Sequence, residues 1–376
     1  MLHFVNKNRN IFFDEFTRHY STVPENIHGG YFADVEEYYK YINEIDWFDV
    51  IYYNITKRCN MHCSYCYSHN MNQDITKKEN EIILSKIASL NCKNIVLIGG
   101  EPFCNPDFWK ILEEVQKYTV WNEITIVTNG TLIGIDKIKK LKDPRIVLQI
   151  SLDDFREDEN AKTRGKGQAD KVLNILPMLK ENHVKVRIMK VLTRESIRTA
   201  KDFYRYFKKE EISVGFFIVK KVEESLKPTV KQLKELMDFF CLEEKKDVLD
   251  AFGMVKFADN MMFGNEGFPV MHCGAGVTSL SIHPDGNVYP CVKRYSSFDY
   301  ITNIFEEDSI EAIKNNRKRI LETELVNAKE SCTHCIIKYF CGGGCRAEEQ
   351  LGKLCEYNCE YYNFALRYYA EKMVEK

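Results

Sequence analysis

Cys59, Cys63 and Cys66 are spaced by three and two residues and follow directly on the β-branched run that ends at Thr56. That spacing lets three thiolates of one loop converge on three corners of an iron–sulfur cubane, leaving the fourth iron open to a small molecule. A structural zinc would want four protein ligands and would have to recruit His62 or His69. A second group lies from residue 273 onward: Cys273, Cys291, Cys332, Cys335, Cys341, Cys345, Cys355 and Cys359. Eight thiolates are the number that two fully ligated [4Fe-4S] clusters need. A zinc ribbon on Cys332, Cys335, Cys341 and Cys345 is the alternative, and it leaves the other four unexplained. Cys92, Cys104 and Cys241 stand alone and read as small buried hydrophobes.

The 376 residues include 14 cysteines, and the N-terminus MLHFVNKNRNIFFDEF lacks the apolar core of a signal peptide. The sequence therefore predicts a cytosolic chain, where reducing conditions oppose disulfides and favour metal ligation. A net charge of -2 gives no basic footprint for nucleic acid or an anionic membrane. No stretch of about eighteen apolar residues offers a membrane span.

These thiols need elements to hold them. From Val50 to about Val219 short β-branched runs alternate with amphipathic stretches, the signature of βα units and a parallel sheet. The predicted strands are Val50 to Thr56, Asn94 to Ile98, Glu123 to Thr128, Ile146 to Ser151, Val184 to Leu192 and Ser213 to Lys220. Helical periodicity covers Lys77 to Ser89, Pro106 to Tyr118, Ile135 to Leu141, Ala169 to Glu181 and Glu195 to Phe207. Thr76 with Glu79 reads as a capping box. A further helix runs from Pro228 to about Asp250, then a glycine-bearing connector from Phe252 to Phe268. Asp285-Gly286 marks a hairpin turn, and Tyr361 to Glu375 is helical in pattern. The first 48 residues show no clear period.

Cys59, Cys63 and Cys66, with Tyr65 between the last two, resemble the CxxxCxΦC signature of the radical S-adenosylmethionine (SAM) superfamily. Gly99-Gly100-Glu101-Pro102 is similar to that family's GGEP motif, and it sits at a strand end where α/β barrels carry their chemistry. Thr128-Asn129-Gly130-Thr131 and Ser151-Leu152-Asp153 resemble two further segments of the family. Asp154 stands where a glycine usually follows, and Asn160 to Arg164 replaces the usual HDxxR. The resemblance implies an α/β fold, a (β/α)6 partial TIM barrel, with Cys59, Cys63 and Cys66 on a SAM-binding [4Fe-4S] cluster. It implies that Glu101 pairs with the SAM ammonium, Tyr65 lies near the adenine, Ser151 serves the ribose and Arg164 the carboxylate. Gly99, Gly100, Pro102 and Asn129 complete the expected SAM contacts.

The later cysteines, with four residues between Gly286 and Cys291 and the run Cys341-Gly-Gly-Gly-Cys345, resemble the SPASM domain, built on a β-hairpin and short helices. By that resemblance two auxiliary [4Fe-4S] clusters bring the total to three. Cys273, Cys291 and Cys345 serve the inner one, and Cys332, Cys335, Cys341 and Cys359 the outer one. Cys355 either completes the inner cluster or is spare. The implied organisation is an N-terminal segment 1–48, the barrel 49–250, a connector 251–269 and the SPASM domain 270–376. The implied activity is reductive SAM cleavage and oxidation of a peptide or small protein, foremost a thioether or carbon–carbon cross-link in a ribosomally made peptide. Implied partners are an electron donor such as flavodoxin or ferredoxin and a separate leader-recognition protein. The alternatives are a sulfatase-maturating enzyme that makes formylglycine, and a non-catalytic iron–sulfur electron carrier. In the sulfatase-maturating branch an aspartate typically follows GxVYPC as a base. Here Val292 follows Cys291, and a hydrophobe takes no proton.

Overall fold

The computed structural model describes residues 40–41, 43–68, 71–256, 273–349 and 356–375, with three short strands in the first 21 residues. Cys355, His69 and most of the connector lie outside these. The chain packs as two compact units: one comprises 46–222 with 275–317, the other 1–45, 223–274 and 318–376. Where the sequence shows no period, the second unit begins with β1 (Leu2–Asn6), β2 (Arg9–Phe13) and β3 (Tyr20–Ser21), a small antiparallel sheet.

The first unit is the alternating region. It runs β4 (Phe48–Thr56), α1 (Lys77–Ser89), β5 (Cys92–Gly99), α2 (Phe108–Lys117), β6 (Glu123–Thr128) and β7 (Ile146–Ser151). It continues with α3 (Glu157–Arg164), α4 (Gln168–Glu181), β8 (Lys185–Leu192), α5 (Ala200–Lys209) and β9 (Ser213–Ile218). All six strands pair in parallel and in sequence order, the parallel sheet that the alternation predicts and the partial barrel that the resemblance implies. Residues 135–141 form a 3-10 turn rather than an α-helix.

One face of each strand packs under the helices. Ile51, Tyr53 and Ile55 of β4 are fully buried, and Tyr53 donates to Asn80 of α1 at 3.1 Å. Ile188 and Phe216 occupy the same layer, Phe216 against Phe203 of α5. The alternate residues turn to the concave face, the lumen, where Asn54, Ile98, Val127, Gln149, Arg187, Val191 and Phe217 remain half-buried. α1 is capped as its sequence predicts: Thr76 accepts from the Glu79 amide at 3.3 Å, and Glu79 accepts from the Thr76 amide at 2.9 Å.

In the second unit the expected Pro228–Asp250 helix is interrupted. It comprises α6 (Val230–Asp238), a π turn over Phe239–Glu243 and α7 (Val248–Met254), followed by the two-residue β10 (Val255–Lys256). The chain then re-enters the first unit, where β11 (Ser279–Ile282) pairs in parallel with β4, leaving β4 between β5 and β11. β11 turns at Asp285-Gly286 into β12 (Asn287–Tyr289), which pairs with β13 (Thr302–Asn303). α8 (Ser309–Thr323) leads back to the second unit, with α9 (Lys338–Cys341) and α10 (Glu356–Glu375). α10 starts five residues before the periodic pattern does.

Candidate active site

The cysteine loop leaves β4 at a shift in register between Asn54 and Thr56. It is tied down at its root. The Thr56 hydroxyl donates to Asp74 at 2.5 Å and accepts from the Arg58 amide at 3.0 Å, and Arg58 pairs with Asp74 at 2.6 Å. The Gly100 and Glu101 amides donate to the Thr56 and Arg58 carbonyls at 2.9 and 2.8 Å. Glycine is required here: a Cβ on Gly100 would stand 2.3 Å from the Arg58 carbonyl oxygen and 3.0 Å from Cys59 Cβ.

Cys59, Cys63 and Cys66 are free thiols. Burial pushes the Cys59 thiol up to about 11, with Glu101, Cys63 and Cys104 adding to the rise, and burial lifts Cys63 as well. Ligation by iron would therefore release protons. Among the described residues no three His, Cys, Asp or Glu side chains converge as the ligands of one ion do. Zinc donors sit about 2.0–2.3 Å from a single point, whereas cubane thiolates stand on separate irons, and three thiols of one loop are the donor set that a cluster with one open iron takes. Cys104 departs from its expected buried role: it is half-buried and contributes to the field at Cys59, whereas Cys92 is buried as expected and Cys241 is half-buried.

Glu101 is the hub of the second motif. It is 1% exposed, and its carboxylate accepts from the Thr128 hydroxyl at 2.7 Å, the Asn129 amide at 2.6 Å and the Phe103 amide at 3.3 Å. Burial pushes its pKa up to about 7 against these bonds. Asn129 donates to Asn60 of the cysteine loop at 2.8 Å. The expected contacts Glu101, Asn129, Gly99 and Gly100 therefore surround one loop.

A second hub, Asp153, reads in the sequence only as part of a family segment. Its carboxylate accepts from the Tyr65 hydroxyl at 2.6 Å, the Thr163 hydroxyl at 2.7 Å and the Val191 amide at 3.0 Å, and it lies 3.1 Å from Arg164 Nε. Arg164 also sits over the Tyr65 ring at 5.6 Å. The fully buried Lys190 donates to the Asp153 carbonyl and to Thr199 at 2.9 Å, and lies 3.7 Å from Asp154; burial brings its pKa down to about 8. Asn160 accepts from the Asp153 and Asp154 amides and donates to Gln168 at 2.7 Å. Gln168 in turn donates to the Asn129 and Ser151 carbonyls at 2.7 and 2.9 Å. One polar lattice thus fixes Tyr65, Asn129 and the end of β7.

In the second unit Cys341 lies in the field of Cys359 and Cys332, and Cys332 in that of Cys335, so the four expected ligands of the outer cluster neighbour one another. Cys345 and Cys273 both influence Tyr362. Gly342, Gly343 and Gly344 all hold positive φ (63°, 80° and 73°), which reverses the chain between two cysteines. Cys291 belongs to the first unit, after β12.

Residues 53–207 match the model of the radical SAM superfamily, and residues 273–336 that of the SPASM iron-sulfur cluster-binding domain. Residues 53–207 are thus a radical SAM domain. Relatives include the GTP 3',8-cyclase of Clostridium perfringens, 32% identical over 42% of this chain but only 49% of the cyclase. The cysteine-type anaerobic sulfatase-maturating enzyme of the same species is 24% identical over 84% of this chain and 94% of its own. The native anSMEcpe structure with bound AdoMet and Cp18Cys peptide superposes with a TM-score of 0.67, covering 87% of this chain and 98% of that one at 21% identity. Streptococcus suis SuiB bound to S-adenosylmethionine gives 0.66, covering 85% and 79% at 19% identity.

A radical SAM domain and an iron–sulfur cluster-binding domain are thus both matched along this chain. The motif residues at the C-terminal strand edge were legible, but the residues that hold them were less so. Thr163, Gln168 and Lys190 carry no motif, and the only signal for them is the unusual polarity of Asn160 to Arg164 after Ser151-Leu152-Asp153. Among the described residues no helix is long and apolar enough to cross a membrane.

Proposed function

We propose that this enzyme cleaves SAM reductively to methionine and a 5'-deoxyadenosyl radical and oxidatively cross-links a ribosomally made peptide through a thioether or carbon–carbon bond. Cys59, Cys63 and Cys66 would hold the SAM cluster. Cys273, Cys291 and Cys345 would hold an inner auxiliary cluster, and Cys332, Cys335, Cys341 and Cys359 an outer one, with Cys355 completing the inner set or spare. When bound, these groups supply the electron that opens the sulfonium and a sink for the electron the substrate gives up. The barrel would span 49–250 and the SPASM domain 270–376.

The chain's own residues organise the reaction. Glu101, presented by Thr128 and Asn129, receives the SAM ammonium. Tyr65, locked by Asp153, lies against the adenine, and Ser151 serves the ribose. The observation that carries the reading is the pairing of a complete GGEP and thiol loop with grouped SPASM cysteines, a set a simple electron carrier has no use for. Relatives named as maturases, the sulfatase-maturating enzyme and the mycofactocin maturase MftC of Mycolicibacterium smegmatis, support a peptide or small-protein substrate. An external donor such as flavodoxin or ferredoxin and a separate leader-recognition protein complete the system.

A formylglycine-generating activity is the second reading, favoured by likeness along nearly the whole sulfatase-maturating relative. Against it, the buried Val292 occupies the position after Cys291. Anaerobic co-expression with the short reading frames beside the gene, followed by mass spectrometry, separates the two. Loss of two hydrogens per bond formed is expected. A formylglycine mass would establish the second reading instead, and absence of 5'-deoxyadenosine from reduced, reconstituted protein with SAM would end both.

A further inference from the structure

Among the described residues the Arg187 guanidinium, in the lumen, makes no ion pair. Arg187 is on β8, whose residues alternate between two faces. Ile188 and Lys190 are fully buried under the helices, Lys190 reaching Thr199 and lying 4.9 Å from the Phe203 ring. Arg187 and Met189 therefore face the lumen. Met189 confirms the parity, because a Cβ on Gly215 of β9 would stand 2.6 Å from its sulfur, while the next residue, Phe216, meets Phe203. Arg187 is the register partner of Gln149 on β7, and Gln149 of Val127 on β6.

Arg187 and Gln149 are half-buried neighbours, and neither side chain has a hydrogen bond or ion pair among the described residues. The other carboxylates at the upper edge are engaged: Asp74 with Arg58, Asp285 with Lys57, Asp299 with Arg294, Asp154 with Arg156 and Asp153 with Arg164. Glu123, the carboxylate of lumen-facing parity on β6, accepts from Thr125 at 2.6 Å. It is four residues below Val127, about 13 Å at ~3.3 Å per residue, beyond the reach of Arg187. An unpaired cation that is partly removed from water is costly unless a ligand completes it.

We propose that Arg187 and Gln149 form a carboxylate-binding subsite, two residues below the Ser151 level of the lumen. The guanidinium offers a fork of donors that suits a carboxylate, and the Gln149 amide adds another. Arg164, the residue expected to take the SAM carboxylate, is engaged by Asp153, so it is not the free guanidinium of this site. The proposal rests on the reading of the lumen as the reaction chamber. The carboxylate belongs either to the methionyl end of SAM or to an acidic side chain of the peptide.

The test compares matched ligands on the full-length, anaerobically reconstituted chain by equilibrium dialysis. One pair is SAM and decarboxylated SAM; the other is two capped tripeptides with cysteine flanked by glutamates or by glutamines. The wild type should favour the carboxylate member of at least one pair by about tenfold, the worth of one charge-assisted contact. Arg187→Met should reduce that preference to within about twofold, and Arg187→Lys should keep most of it. Collapse in the SAM pair assigns the cosubstrate carboxylate, and collapse in the peptide pair assigns the substrate's. Preferences that survive Arg187→Met, or their absence in the wild type, would overturn the subsite. Should Arg187→Met fail to load iron, Gln149→Met must still cut the preference about threefold; no change overturns it equally. A wild type that shows the preference yet releases no 5'-deoxyadenosine sinks the radical reading and leaves the subsite standing.

Discussion

Glu101 sets a sign for the pH dependence of SAM binding. Its carboxyl, pushed up to about 7, is protonated in the empty site at pH 6 and must ionise to meet an ammonium. SAM should therefore bind about tenfold more tightly at pH 8 than at pH 6, with the gain levelling off above 7. Isothermal titration across that range checks it, and Glu101→Gln should flatten the profile. Asp153 acts differently, by holding its neighbours. Asp153→Asn leaves the buried Arg164 without its counter-charge and should lower unfolding free energy by about 3 kcal/mol. Tyr65→Phe removes one donor from the same carboxylate and should cost about 1–2 kcal/mol. Chemical denaturation of both variants gives the comparison. Glu101 was legible because its motif is contiguous. Asp153 was not, since its partners Tyr65, Arg164 and Val191 come from three separate stretches of chain.

The elements were legible where periodicity was strong. The six parallel strands follow their β-branched runs, and the Thr76 box forms as written; Thr76→Ala should cost about 1 kcal/mol, measurable by thermal unfolding. α3 was missed because Glu157 to Arg164 is almost wholly polar, and its buried side chains, Asn160 and Arg164, bond rather than pack. The break at Phe239 in the second unit is a π turn, which the apolar spacing of either flank does not announce. Between β5 and α2, Gly100→Ala would drive a methyl into the Arg58 carbonyl. The cysteine loop would have to shift, and the variant should lose about four irons per chain while keeping those of the SPASM domain. Iron and sulfide quantitation reads this directly.

At the scale of the whole molecule, the second unit is cross-braced by ion pairs. Lys227 and Glu348, both 3% exposed, meet at 2.7 Å between the segment before α6 and the stretch after Cys345. Lys227→Ala should destabilise by about 3–5 kcal/mol by stranding the carboxylate, whereas replacing both by Met and Leu should be nearly neutral. Denaturation of the single and double variants separates these outcomes. No pattern in the sequence announces that pair, since its members lie far apart and neither sits in a periodic segment. Nor does any pattern announce that β11, one arm of the hairpin that Asp285-Gly286 marks, joins β4 from more than two hundred positions away. Chains are made at ~5–20 residues per second, so β4 waits about 10–50 s for that neighbour. Throughout that interval the nascent sheet carries a bare edge beside the cysteine loop. A newly made chain thus passes through a stage in which one side of β4 is open to pairing with another chain, and closing that edge is the task of residues made more than two hundred positions later.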